Sequence, residues 1–165
     1  MDARRNEPAL MEITKVERTS DREVVVTRTF DAPAHLVFEA WADPELFRRW
    51  WVPKSMDMTL HSCEMDVRTG GTYRLGFGDG MDFFGRYLEV TPPSRIVWTN
   101  EESADGPLST VTFEERGDHT LLVLTERYPS KEALDDAIAS GSTATSGAGE
   151  QFDALDELLI ALVNP

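Results

Sequence analysis

The sequence predicts an α+β protein: a curved antiparallel sheet of about seven strands, two short helices after the first strand, and one long helix at the end. Three observations carry this. Runs rich in β-branched and aromatic residues follow one another from Glu23 to Tyr128, separated by Gly, Pro and Asp turns. The connections in the second half of that stretch are hairpin-short, with no room for the crossover helix that parallel pairing requires. After Pro129 the apolar period changes from two to that of a helix.

The elements follow in chain order. Residues 1–20 are polar and mixed in charge, and read as a tail or a first-strand extension; residues 21–163 read as a single domain. "EVVVTRTF" (23–30) is a strand by its β-branched content. "DAPAHLVFEAW" (31–41) starts a helix, with Asp31 as capping acceptor, Pro33 in the first turn, and Val37, Ala40 and Trp41 on one face. Asp43 and Pro44 start a second helix that must be short, because Pro53 follows. "MDMTLHSCEM" (56–65) alternates at Met56, Met58 and Leu60, and "GGTYRLGFG" (70–78) at Tyr73, Leu75 and Phe77. Four more strands, "FFGRYLEV", "SRIVWTN", "STVTFEERG" and "HTLLVLTERY", are set apart by "PPS", "DGP" and "GD". "SKEALDDAIAS" (130–140) has Ser130 as cap and Leu134 with Ile138 four apart. The last helix carries Ala148, Phe152, Leu155, Leu159 and Leu162 at steps of 4, 3, 4 and 3, one apolar stripe that must lie across a sheet face. A sheet curved around one helix does not close perfectly, so the gap between them is a natural apolar cavity.

Composition narrows the function classes. Thirty acidic against sixteen basic side chains give a net charge of −14, a field that repels nucleic acid and anionic lipid. One cysteine, Cys63, excludes an intrachain disulfide and suits a reducing interior. The first residues show no apolar signal core and no run is long enough to span a bilayer, so a cytoplasmic location is expected. The histidines, His35, His61 and His119, stand in no metal-ligand spacing; no metal and no cofactor is expected. His61 and Cys63 share a strand face, either as an ordinary packed pair or as a thiolate–imidazole pair. Asp66 and Arg68, two apart before Gly70-Gly71, suit an ion pair bracing a tight turn.

The order of motifs resembles the helix-grip proteins of the START/Bet v 1-like superfamily. Within it the chain is similar to the branch named after the activator of Hsp90 ATPase, the AHSA1-like SRPBCC proteins. The resemblance rests on "RTFDAPAHLVFEAWADPELFRRWW" (28–51), "DVRTGGTYRL" (66–75), "GRYLEVTPPSRIVWT" (85–99) and "EQFDALDELL" (150–159). It departs at Gly147-Ala148, where many members carry Gly-Trp, so pocket shape does not transfer. Relatives bind lipids, hormones and polyketides, and some cyclise or dehydrate aromatic substrates. The eponymous co-chaperones carry an additional amino-terminal domain for which this chain has no room, so Hsp90 interaction is not expected.

The function expected is therefore noncatalytic binding of a small hydrophobic or aromatic molecule between sheet and last helix. The alternatives are a cyclase- or dehydratase-type enzyme and an Hsp90-regulating interaction module. A homodimer is compatible with the sequence. The cavity candidates are Trp41, Trp50, Trp51, Met58, Tyr73, Leu75, Phe77, Phe84, Arg86, Trp98, Phe113, Glu126, Phe152, Leu155 and Leu159. No catalytic residue is assigned. Of the polar side chains near the cavity, Arg74, Arg86, Glu89, Asn100 and Glu126, strand parity is open. Arg86 either faces inward, where its guanidinium needs a partner such as Glu126 or an anionic ligand, or faces solvent on the convex side. Trp50 is the expected core residue and Trp51 the expected rim residue.

Overall fold

A computed structural model describes residues 14–52, 55, 59–78, 82–143 and 147–164. Met56 and Met58, which the sequence reading placed at the start of a strand, lie outside these residues.

The alternation seen in the sequence builds one antiparallel sheet. Its strands are β1 (Lys15–Arg18), β2 (Glu23–Phe30), β3 (Ser62–Met65), β4 (Thr72–Gly76), β5 (Asp82–Thr91), β6 (Arg95–Thr99), β7 (Leu108–Arg116) and β8 (His119–Arg127). They run in the order β1-β2-β8-β7-β6-β5-β4-β3, so β1 and β3 are edges and the sheet is open. The seven strands counted from Glu23 are β2 to β8. The eighth, β1, comes from the segment read as a tail or first-strand extension, and pairs with β2 from Lys15↔Thr27 to Arg18↔Val24.

Four helices complete the described chain: α1 (Ala34–Ala42), α2 (Pro44–Phe47), α3 (Lys131–Ser140) and α4 (Ala148–Val163). Asp43 caps α2 as expected, accepting from the Glu45 N–H at 2.9 Å. Ser130 caps α3, accepting from Ala133 N–H at 3.0 Å. Asp31 does not cap α1. Pro33 itself occupies the cap in extended conformation, which places Asp31 two residues before it; the Asp31 carboxylate lies 3.9 Å from His119 Nε2 instead. In α3 the buried stripe is Ala133, Leu134 and Ala137 against Val24 and Tyr128, and Ile138 falls at its margin, 42% exposed.

The core lies where α1 and α4 cross the concave face. Val37, Ala40 and Trp41 of α1 meet Phe152, Leu155 and Leu159 of α4 over Val26, Phe30, Val111, Leu122 and Leu124. One polar side chain is built into this interface. Val24, Val26, Arg28 and Phe30 share the inward face of β2, so Arg28 is buried. Its Nη1 donates to Asp153 Oδ1 at 2.6 Å and to Thr14 Oγ1 at 3.1 Å, and its Nη2 lies 3.8 Å from Asp156 Oδ2. The guanidinium also sits 5.3 Å from the Phe30 ring centroid. Arg28 thereby fastens α4 to the sheet.

Candidate functional site: a cavity between the sheet and the helix ends

Inward parity on four strands sets the floor of a cavity of about 470 Å³, within the range of small-molecule sites. β4 contributes Tyr73 and Leu75, β5 Phe83 and Tyr87, β6 Ile96 and Trp98, and β8 Leu124 and Glu126. Phe77 and Asn100 extend the wall just past β4 and β6. The opposite wall is Trp41 on α1 with Phe47, Trp51 and Val52 at the exit of α2. Gly141, Ser142, Thr143, Gly147, Glu150 and Gln151, around the start of α4, form the rim.

Two glycines permit this arrangement. A Cβ on Gly85 would stand 2.1 Å from the Thr99 carbonyl oxygen and 2.9 Å from Tyr73 Cε1. With no side chain there, Tyr73 lies across the strand and donates its hydroxyl to Thr99 O at 2.7 Å. A Cβ on Gly71 would stand 1.9 Å from Asp66 O, which is the close approach expected of the Gly70-Gly71 turn; Gly70 supplies its positive φ of 88°. Asp66 and Arg68 form the exposed ion pair beside it, at 2.8 Å.

The three neighbouring tryptophans divide their work. Trp50 is fully buried, and its indole N–H donates to Ala40 O at 2.9 Å. Trp51, half-buried, stacks on Phe47 at 4.8 Å and 25° and lines the cavity. Trp41 sits between them, 4.8 Å from Trp50, 6.3 Å from Trp51 and 5.8 Å from Trp98. Its indole N–H is buried without an oxygen or nitrogen partner among the described residues. The rim is tied together by polar contacts. Ser55 donates from both its backbone N–H and its hydroxyl to Glu150, and Gln151 donates to the Trp51 carbonyl.

The polar end of the cavity is built on Asn100. Its Nδ2 donates to Pro107 O at 2.8 Å and to Ser109 Oγ at 2.9 Å, and its Oδ1 lies 3.4 Å from Tyr73 Oη. Burial, with the nearby carboxylate of Glu102 and further ones on Glu101 and Glu126, pushes the Tyr73 phenol well above the ordinary range. Burial does the same to Tyr87. The charged side chains lining the cavity among the described residues are Glu102, Glu126 and Glu150.

Seven of the predicted site residues line this space: Trp41, Trp51, Tyr73, Leu75, Phe77, Trp98 and Glu126. Trp50, Phe113, Phe152, Leu155 and Leu159 belong instead to the core behind it, each at most 3% exposed. Phe84 and Arg86 are on the outer face, because Phe83, Gly85 and Tyr87 take the inward parity of β5. Arg86 is 61% exposed, and its partner is Glu101, at 2.7 Å, not Glu126. Phe84 lies under the Arg74 guanidinium, 4.6 Å from its ring centroid. Arg74 and Glu89 also face outward, paired with Asp82 and Arg95. Met58 lies outside the described residues. Lining residues that the sequence did not single out include Ile96, Leu124 and Gln151.

None of the three histidines lines the cavity. Cys63 packs as an ordinary half-buried thiol: its Sγ is 3.5 Å from Met65 Sδ and 3.8 Å from Pro44 O, and burial pushes its pKa up. Among the described residues no group of three or more His, Cys, Asp or Glu is placed to hold a metal ion, and no helix is long and apolar enough to cross a membrane.

Comparison with known proteins places this geometry in context. Residues 31–160 match the family model described as activator of Hsp90 ATPase homolog 1-like protein. Among solved structures, a protein of Rhodobacter sphaeroides superposes with a TM-score of 0.77 at 23% identity, over 91% of this chain and 99% of that one. Ms6760 of Mycobacterium smegmatis gives 0.72 at 25% identity, over 90% and 98%. DynU16, a protein of the dynemicin biosynthetic locus, gives 0.66 at 22% identity, over 86% of this chain and 48% of that one. No curated protein matches the sequence.

Proposed function

This chain belongs to the activator of Hsp90 ATPase homolog 1-like family, and from that premise we propose that it is a noncatalytic binding protein for a small hydrophobic or aromatic molecule. The supporting observation is the cavity of about 470 Å³ between the sheet and the helix ends, walled by the rings of Trp41, Phe47, Trp51, Tyr73, Tyr87 and Trp98. A core built only for stability fills such a space, because each unfilled void forfeits dispersion contacts. Flat ring faces around a void suit a planar apolar guest, whose burial is favourable by roughly 25 cal/mol per Å² of apolar surface.

The test is a melting-temperature and tryptophan-fluorescence screen against a library of lipids and aromatic compounds. It is paired with native mass spectrometry of protein isolated from its own host. Binding raises the melting temperature and changes emission from Trp51 and Trp98. Indifference to the whole library, with no co-purifying mass, overturns the reading.

A second reading, an enzyme acting by acid–base chemistry on a polyketide-like or aromatic substrate, is favoured by one feature: Glu126 sits on the inward face of β8 at the cavity wall. DynU16 comes from a biosynthetic locus, which fits such a reading for that protein. Turnover abolished by Glu126→Gln with ligand affinity retained would establish it here.

A further inference from the structure

The polar end of the cavity has a hydrogen-bonding sign. Asn100 has four hydrogen-bonding positions: two N–H donors and the two lone pairs of Oδ1. Both donors are spent, one on the Pro107 carbonyl at 2.8 Å and one on Ser109 Oγ at 2.9 Å. A carbonyl oxygen only accepts, so the atom facing Pro107 O must be the amide nitrogen, and this fixes which way the amide points. What Asn100 has left to present is Oδ1. Tyr73 is committed in the same sense: its one hydroxyl hydrogen is spent on Thr99 O at 2.7 Å. The Oη of Tyr73 stands 3.4 Å from Asn100 Oδ1, a long contact for a hydrogen already held by Thr99 O at 2.7 Å, so Oδ1 keeps accepting capacity on the cavity side. Both residues line the cavity, together with the carboxylates of Glu102 and Glu126, which also only accept when ionised.

From this we infer that the ligand carries an O–H or N–H donor, as a phenol, alcohol or amine, seated between Asn100 Oδ1 and Tyr73 Oη, and that Asn100 is the specificity-determining residue for it. The inference rests on the ligand-binding reading above. An apolar guest without a donor would leave Asn100 Oδ1 with only the long Tyr73 contact, and a carboxylate or phosphate would set a further acceptor against it. The upward shift of the Tyr73 phenol agrees with this: its surroundings favour retaining hydrogens. The register supplies the rigidity, since Trp98 pairs with Ser109 and Ser109 with Glu126, so the strands that hold the Asn100 amide are adjacent in the sheet.

The test compares 2-naphthol with 2-methoxynaphthalene, which differ in the donor, by equilibrium dialysis against the full chain. The wild type is expected to hold 2-naphthol about tenfold more tightly, the worth of one neutral hydrogen bond. In Asn100→Leu that preference is expected to vanish, 2-naphthol losing affinity relative to 2-methoxynaphthalene. Should Asn100→Leu fail to fold by circular dichroism, the wild-type ratio and its reduction in Ser109→Ala, which unlocks the amide, decide the matter. Equal affinity of the wild type for the two probes overturns the inference while leaving the ligand-binding reading intact. Failure of both probes to bind overturns the inference as well, while the ligand-binding reading is decided separately by the library screen and native mass spectrometry.

Discussion

Arg28 offers a prediction in which the intuitive order of damage is reversed. Its side chain is 2% exposed, whereas its main partner Asp153 is 70% exposed and Asp156 is 17% exposed. The guanidinium has therefore given up its water, and the 2.6 Å contact to Asp153 is what offsets that loss. Asp153→Ala leaves the charge buried with only Asp156 at 3.8 Å and the Thr14 hydroxyl nearby. Removing one partner of a buried pair costs about 3–5 kcal/mol, and the exposure of Asp153 puts this case at the lower end, about 3 kcal/mol. Arg28→Met removes the charge itself. It places an apolar chain of similar length beside Val26 and Phe30, and replacements of that kind are near neutral or stabilising.

The measurement is urea unfolding of wild type, Asp153→Ala, Arg28→Met and the double variant at 25 °C. At a slope of about 1–3 kcal/mol/M, a loss of about 3 kcal/mol lowers the midpoint by a molar or more. Asp153→Ala is expected to show that loss, with Arg28→Met within about 1 kcal/mol of wild type and the double variant matching Arg28→Met. If Arg28→Met is the more damaging of the two, or Asp153→Ala is silent, the claim that the burial of Arg28 depends on that carboxylate is wrong.

Three further outcomes are expected. Trp50→Ala should cost about 3–5 kcal/mol, since it empties a fully buried site and orphans the Ala40 carbonyl. Trp51→Ala should cost less than half of that in the same urea unfolding and weaken binding of aromatic probes, and parity between the two would contradict the division into core and wall. Gly85→Ala should destabilise by more than 2 kcal/mol, because its Cβ would meet backbone at Thr99 and the Tyr73 ring, neither of which can yield cheaply. The phenols of Tyr73, Tyr87 and Tyr128, the protein's three tyrosines, are all raised above their ordinary 10.0 by burial first of all. Above about pH 10 the unfolded chain therefore holds fewer protons than the folded one, and stability falls as pH rises. Tyrosinate absorbance at 295 nm is expected to appear together with unfolding, and gradual ionisation of native protein near pH 10 would refute the burial.

How far the sequence revealed all this depended on whether a pattern had one physical solution. The last helix had one: Ala148, Phe152, Leu155, Leu159 and Leu162 fall on one stripe, and the first four are buried against α1 and the sheet, with Leu162 half-buried at the helix end. Asp43-Pro44 had one, since the cap and the first helical position are local chemistry. β5 had two. "FFGRYLEV" is apolar at both parities, and Arg86 between Phe84 and Tyr87 looked like a charge among aromatics. Yet Phe84 is outside, shielded by Arg74, and Tyr87 is inside. Aromatic residues on both faces of one strand erase the alternation from which facing is read. The buried arginine was legible in β2, where Val24, Val26, Arg28 and Phe30 share strict parity, but only for a reader willing to place a charge on the inward face. Its partners, Asp153 and Asp156, are more than a hundred residues away in sequence and looked like the solvent side of a helix. Local pattern cannot pair such groups; only the assembled sheet does.

The cavity's position follows from the same assembly. The apolar stripe of α4 is consumed by α1, β2 and β8, and Arg28 with Asp153 locks that half of the concave face shut. The half over β4, β5 and β6 receives no helix stripe. It is bounded by the start of α4, by Trp41 of α1 and by the exit of α2, where the Trp51 carbonyl accepts from Gln151. Trp50 and Trp51 stand at this boundary, and being adjacent on a helical turn they cannot point the same way. Trp50 takes the closed side, where a carbonyl of α1 satisfies its N–H, and Trp51 takes the open side, stacked on Phe47. It follows that substitutions along Phe152, Leu155 and Leu159 act on stability, whereas those at Trp51, Trp98 and Asn100 act on what the cavity accepts. On the proposed function, a ligand would be held by the sheet, Trp41 of α1 and the exit of α2, and would touch the long helix only at its first turn.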